Sequence, residues 1–329
     1  MQDPSPAAAL PALEVGWRDI SAYRAGTGDI PYVFTFAAAA PGPHVVVNAL
    51  THGNEVSGRE VVLALLDAGV RPLRGTLSLA LANVVAHDRF DPANPGASRF
   101  VDRDFNRLWD DALIEADDQS VEALRARELR PLYRQADRLL DLHTTFLSDR
   151  PFFVVPDLPK AIGLARDIGT PATTVVLSSG GMHGPTLMEY APFADPDGAA
   201  SAVVAECGQH WARAAVDQAM AAAVSFLALS GTIDGKTAAA LSPPVPAEPP
   251  RLYRMSANLF ATTDSFRYVR SFRGFDPVGE DEIVAWDGDQ PIHAPHADAV
   301  VILARPHPKR GGEAMSFGRL VGGDEEHAG

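Results

Sequence analysis

From Pro43 to Leu229 the chain repeats one unit: a short β-branched run, a break, then a stretch with apolar residues at helical spacing. Pro43 to Leu50 reads as turn residues leading into a buried strand, and Asn54 to Ala68 as a helix that Gly69 stops. Thr76 to Val85 reads as the next strand, Ser120 to Gln135 as a helix, Arg138 to Leu142 as a strand and Ala161 to Ile168 as a helix. Thr173 to Leu177 and Ala202 to Ala205 add two strands, and Trp211 to Leu229 a long Ala-rich helix. Units of this kind bury their apolar faces by laying helices against a sheet. The expected class is therefore α/β, with a mostly parallel or mixed sheet flanked by helices.

The alternation stops at Ser242-Pro-Pro-Val-Pro-Ala-Glu-Pro-Pro250, five prolines in nine residues, which no helix or central strand tolerates. Beyond it, short runs at Phe266–Phe272, Glu282–Trp286 and Ala299–Leu303 lie between Gly, Pro and Asp turns. The expected organisation is an α/β domain over 1–241, a linker over 242–250 and a smaller all-β C-terminal domain over 251–329.

Composition narrows the partners. The 329 residues hold 28 Lys plus Arg against 42 Asp plus Glu, a net charge of −14, which argues against nucleic acid and anionic membrane as ligands. Cys207 is the single cysteine, so an intrachain disulfide and a thiolate-rich metal site are both excluded. Any metal must be held by His and carboxylate. Met1-Gln2-Asp3-Pro4 lacks the basic start and apolar run of a secretory signal, so a cytoplasmic location is the default expectation. The most apolar helical stretch, Ala219 to Leu229, is short of the roughly 20 residues that span a bilayer.

In open α/β sheets ligands bind beyond the carboxyl ends of the strands, so side chains just after strands are the ones to inspect. His52 and Glu55 follow the first strand at His-x-x-Glu spacing, which puts both on one face of a helix start, about 5–6 Å apart. His143 follows a second strand in Asp141-Leu-His-Thr-Thr145. Two imidazoles and a carboxylate with an open fourth position form the arrangement of a catalytic zinc site. Glu206 ends a third strand and suits a base that deprotonates water there. The plainer readings are a first-turn acid for Glu55, favoured by the helix dipole, and an ion-pair partner for Glu206. The other histidines, including His87, His183, His210, His293 and His296, lack a partner at ligand spacing and read as surface or structural, and Cys207 as a small apolar residue.

Ser98-Arg-Phe-Val-Asp-Arg-Asp-Phe-Asn-Arg-Leu-Trp109 is the other dense cluster. Asn106-Arg107 suits a substrate carboxylate, because a guanidinium grips it through two parallel hydrogen bonds. Arg99 suits an electrophile that stabilises an oxyanion, and Asp104 an orienter of a ligand histidine. A loop-to-helix junction with a salt-bridged surface Arg is the alternative.

Taken together, Thr51-His-Gly-Asn-Glu55, Asp104-Phe-Asn-Arg107, Asp141-Leu-His143 and the late-strand Glu206 resemble the succinylglutamate desuccinylase/aspartoacylase family, a branch of the zinc carboxypeptidase-like fold. The resemblance covers about residues 44 to 210, and Pro277–Ile283 and Ile292–Ile302 are similar to the β-rich C-terminal module of these enzymes. It implies one Zn²⁺ held by His52, Glu55 and His143, with Glu206 as general base and acid, Arg99 polarising the scissile carbonyl and Asn106-Arg107 holding the substrate carboxylate. The activity expected is a zinc-dependent amidohydrolase that deacylates a small carboxylate-bearing substrate of the N-acyl amino acid type, with homo-oligomer formation left open. Its rivals are a zinc carboxypeptidase acting on short peptides and a non-catalytic binding protein on the same fold. A serine hydrolase is disfavoured because the chain has no Gly-x-Ser-x-Gly elbow.

Overall fold

The computed structural model describes residues 11–177, 184–242, 248–306 and 308–322. In chain order its first half runs β1 (Val33–Ala37), β2 (His44–Ala49), α1 (Ser57–Asp67), β3 (Thr76–Leu81), α2 (Val84–His87), α3 (Asp111–Glu115), α4 (Val121–Arg134) and β4 (Arg138–Thr145). There follow β5 (Phe152–Pro156), α5 (Pro159–Ile168), β6 (Thr173–Leu177), β7 (Ser201–Gln209), α6 (Arg213–Leu229) and α7 (Gly235–Leu241). The rest is strand: β8 (Arg251–Phe260), β9 (Arg267–Tyr268), β10 (Asp276–Pro277), β11 (Ile283–Asp287), β12 (Gln290–His293), β13 (Val300–Ala304) and β14 (Glu313–Leu320).

The apolar runs form the centre of a sheet buried on both faces, as a parallel sheet between helices must be. In β2 the alternation of the pleat sends Val45, Val47 and Ala49 into one core with α1, α5 and α6. Val46 goes into the other core, with α4, Phe105 and Trp109. Each such side chain taken fully from water contributes about 1.5–3 kcal/mol, so the two cores outweigh any single polar contact described below. The strand order is β1-β3-β2-β4-β7-β5-β6-β8-β14-β13-β10. The β2, β3, β4 and β7 pairings are parallel, β5 is antiparallel to β7, and β8 is parallel to β6, so the sheet is mixed. Four strands from the C-terminal part thus extend the main sheet, while β12, β11 and β9 form a second, antiparallel one.

Several boundaries differ from the sequence reading, each for a local reason. The strand begun at Thr76 stops at Leu81, because Asn83 Oδ1 accepts the Ala86 N–H at 3.3 Å and starts α2. β4 and β7 run on to Thr145 and Gln209, so His143 and Glu206 lie within the last turns of their strands rather than after or at the end of them. Of Phe266–Phe272 only Arg267–Tyr268 is strand, and Phe272 turns instead into the apolar cluster of the C-terminal part. Of the proline-rich stretch, residues 243–247 lie outside the described residues, as does His183. Among the described residues no helix is long and apolar enough to cross a membrane.

Candidate metal centre and active site

The chain leaves β2 through Leu50, whose φ of 58° is left-handed. That conformation costs a non-glycine residue about 1–2 kcal/mol, and complete burial of Leu50 with its carbonyl accepting the Asn83 N–H at 2.8 Å holds it there. Gly53 follows because nothing larger fits: a Cβ would come within 2.4 Å of the Ala86 and His87 backbone and 2.6 Å of the Ser98 carbonyl. The Gly53 N–H donates to the Arg99 carbonyl at 3.0 Å, and the Gly53 carbonyl faces His87 Nδ1 at 3.1 Å. His87 is therefore a buried structural residue. This turn aims His52 and Glu55 at the end of β4.

His52, Glu55 and His143 are buried, and one ligand atom from each lies within 4.8 Å of the others. Glu55 bridges the two rings, with Oε1 2.8 Å from His52 Nδ1 and Oε2 3.0 Å from His143 Nδ1. On the far side, His52 Nε2 lies 3.0 Å from Asp104 Oδ1 and His143 Nε2 2.8 Å from Asp141 Oδ2. Each imidazole therefore has a carboxylate oxygen against both nitrogens, although a neutral ring has only one N–H to give. Burial pulls the His143 pKa down, but Asp141 and Glu55 more than reverse this and hold it well above its ordinary value. The Glu55 pKa, which burial would raise, is held well below its ordinary value by the two rings. Such a cluster calls for positive charge at its centre. His52, Glu55 and His143 would hold a divalent ion, and Asp104 and Asp141 would then orient the two imidazoles from their other nitrogens. The residues present fit zinc.

The sequence reading assigned no part to Asp141, whose role was visible in principle because residues i and i+2 of a strand share a face. Asp141 is itself fixed by Asn48 Nδ2 at 2.7 Å and by Thr51 Oγ1 at 2.9 Å, and Asn48 accepts from Tyr133 of α4 at 2.8 Å. The Thr144 N–H donates to Glu55 Oε2 at 3.0 Å, and its hydroxyl lies 2.7 Å from Nδ1 of the buried His210. Burial lowers the His210 pKa to about 3, so that ring is neutral and structural.

Glu206, Arg99, Asn106 and Arg107 line one cavity with the His–Glu–His cluster. Among the described residues, Glu206 Oε2 is buried with no hydrogen-bond partner. Burial pushes the Glu206 pKa up to about 8, with the Glu55 charge adding to the rise and His143 opposing it. Arg99 lies 3.3 Å from Glu55 Oε1 and 3.1 Å from Asp104 Oδ2. The Asp104 pKa, which burial would raise, is held well below its usual range by Arg99 and His52. Asn106 Oδ1 accepts the Leu187 N–H at 2.9 Å, and Arg107 Nη1 donates to the Asn106 carbonyl at 2.7 Å. The C-terminal part also lines this cavity, as the family resemblance implies, through residues that no sequence signal singled out: Met255, Phe272, Ile302, Arg305 and Glu313. Arg305 pairs with Glu313 at 3.2 Å across the β13–β14 turn, a contact no local spacing announces.

Several comparisons bear on this geometry. In the curated set, the N-acyl-aromatic-L-amino acid amidohydrolase (carboxylate-forming) of Xenopus laevis is 36% identical over 116 residues, 32% of this chain. The match spans 35%, about a third, of that relative's length. Among solved structures, the succinylglutamate desuccinylase of Vibrio cholerae superposes with a TM-score of 0.67 at 20% identity, covering 88% of this chain and 89% of that one. The product-bound ectoine utilization protein EutE (DoeB) of Ruegeria pomeroyi gives 0.64 at 18% identity, covering 88% of each chain. Identities this low establish the fold alone. The family model described as succinylglutamate desuccinylase/aspartoacylase catalytic domain matches residues 41–225, more than half of the chain and the whole of the His–Glu–His cluster with Glu206. The chain belongs to the succinylglutamate desuccinylase/aspartoacylase family.

Proposed function

We propose that the chain is a zinc-dependent amidohydrolase that cleaves the N-acyl bond of a small N-acyl amino acid. The observation that carries this reading is Glu206: a buried, unpartnered carboxylate oxygen in the cavity of a metal-fit His–Glu–His cluster. Zinc held by His52, Glu55 and His143 supplies, when bound, a Lewis acid that lowers the pKa of water and polarises an acyl carbonyl. Glu206 accepts a proton from the attacking water and passes it to the leaving amine nitrogen. Arg99, at the rim of the cluster, offers positive charge where the acyl oxygen becomes negative. Asn106-Arg107 grips the carboxylate of the amino acid, and the apolar wall of Phe152, Met188, Met255 and Phe272 suits an apolar acyl chain or side chain. Residues 1–241 would then carry the chemistry, and 251–329 would close the cavity over small substrates.

The deciding assay presents the zinc-loaded protein with a panel of N-acyl amino acids, their amides and N-acyl peptides, and reads released amine. Turnover of the free acids, with Glu206→Gln lowering kcat at least about 10²-fold at unchanged metal content, is expected. No release from any member rejects the deacylase. Efficiency that rises with peptide length replaces it with a carboxypeptidase.

A further inference from the structure

Arg99 ends one short 3-10 turn and Asp104 caps the next, and the stretch between them has no strand partners, so the backbone N–H groups of Val101, Asp102 and Arg103 need acceptors from elsewhere. All three find the same one. Glu122, in the first turn of α4 and wholly buried, accepts the Val101 N–H at 2.7 Å on Oε1 and the Asp102 and Arg103 N–H groups at 3.0 and 3.3 Å on Oε2. Its fourth donor is Asn83 Nδ2, at 3.0 Å, from the residue that starts α2. Among the described residues no Arg, Lys or His pairs with it, so its carboxyl group is buried on amide donors alone. The tie is reciprocal, since Asp102 Oδ2 accepts the Val121 N–H at 2.8 Å and Arg103 pairs with Asp118.

Leaving a carboxylate in the interior without a counter-ion is costly unless its donors replace the lost water, and here they also do something further. They fix three of the four residues between the two functional ones. Asp104 at one end orients His52 through Nε2, and Arg99 at the other faces Glu55 and the cavity. We propose that Glu122 is a positioning residue of the active site, which sets Arg99 and Asp104 against the metal cluster by holding the 101–103 backbone. The proposal rests on the deacylase reading for its kinetic consequence only.

Glu122→Gln keeps the volume but turns an amide nitrogen toward N–H donors in either orientation. Hydrogen exchange on the wild type and the variant should show the Val101–Arg103 amides exchanging about tenfold faster, with the β2, β4 and β7 amides unchanged. Chelator competition with zinc should show about tenfold weaker binding, the scale of an outer-shell loss at a ligand histidine. With substrate and saturating zinc, kcat should fall about tenfold, and this loss should be clearly smaller when Glu122→Gln is introduced into Arg99→Ala, with only the share that runs through Asp104 remaining. If Glu122→Gln does not fold, Glu122→Asp, which keeps the charge but withdraws it from the loop, takes the same measurements. Wild-type exchange at 101–103, faster exchange spread evenly through the sheet, or local loosening with unchanged zinc affinity and kcat overturns the proposal; so do losses that multiply in the double variant. Exchange and zinc affinity need no substrate. An inactive wild type would therefore sink the deacylase and leave these two measurements to judge Glu122.

Discussion

His52 and Arg305 line the same cavity, yet the segments that bring them there are held by different forces. Around His52 the contacts are a chain of polar pairs: Thr51 and Asn48 on Asp141, Asp104 on His52, and the Thr144 N–H on Glu55. Around Arg305 the contacts are strand pairing and apolar packing, with Phe272, Val301, Met315 and Phe317 in one cluster and an ion pair to Glu313. The first arrangement fixes directions, because hydrogen bonds to charged groups are short and angular. The second fixes shape, because packing has no preferred angle. The contrast implies that substitutions near the cluster alter chemistry before they alter stability, and those in the C-terminal part do the reverse.

The largest expected effect follows from removing a direction-fixing group at the centre. His143→Ala deletes one imidazole and leaves both Glu55 and Asp141 with an unanswered buried contact. Metal content measured by elemental analysis should fall well below one per chain, and activity by more than about 10³-fold, beyond the 10–100-fold typical of an outer-shell partner. Equal metal in variant and wild type would remove His143 from the ligand set and break the comparison at its strongest point.

The same contrast explains what the sequence made legible. His52, Glu55, His143 and Glu206 could be picked out because each sits at or near the carboxyl end of a strand whose apolar pattern is unmistakable, and because two of them share a local spacing. Arg99, Asp104, Asn106 and Arg107 stood together in one dense run, and the structure brings them to the same cavity or its edge. Glu122 and Arg305 could not be found this way. Glu122 looks like any first-turn acid until the loop it holds is folded onto it, 19 to 21 residues away in the chain. Arg305 reaches the cavity because β8 joins β6, a pairing such as Thr173 with Arg251 between distant segments that no periodicity encodes, and carries β14 and β13 with it. β8 itself carries a period-2 signal, with Tyr253 and Met255 buried and Arg254 and Ser256 exposed between them, but nothing local says which strand it joins.

A smaller effect is expected where the cluster meets the substrate. Arg107→Ala removes one charge-assisted partner of a carboxylate, worth about 1.5–3 kcal/mol, which is roughly 10–150-fold in kcat/KM. The loss should appear with free-acid substrates and nearly vanish with their amides. An equal loss on both would mean that Arg107 shapes the cavity as the C-terminal wall does, rather than fixing a direction.

The smallest effect tests the other region. Asp287, at the end of β11, accepts the N–H and hydroxyl of Thr262 at 2.6 Å each, and those of Thr263 at 3.0 and 2.6 Å. Burial would raise its pKa, but these four donors lower it from 3.8 to about 2. A carboxylate held below its unfolded value stabilises the fold fully above that value, and the contribution drains away as pH falls through the folded one. Asp287→Asn should therefore cost about 1–2 kcal/mol in denaturant melts at pH 7, by a margin that stays constant down to about pH 5 and closes between about pH 4 and pH 2. Because Asp287 lies outside the cavity lining, kcat and KM at 25 °C should be unchanged. A variant with wild-type stability and altered KM would reverse the comparison, since it would show that the C-terminal part transmits direction to the site through this turn. A stability loss with intact kinetics would confine that part to supporting the wall.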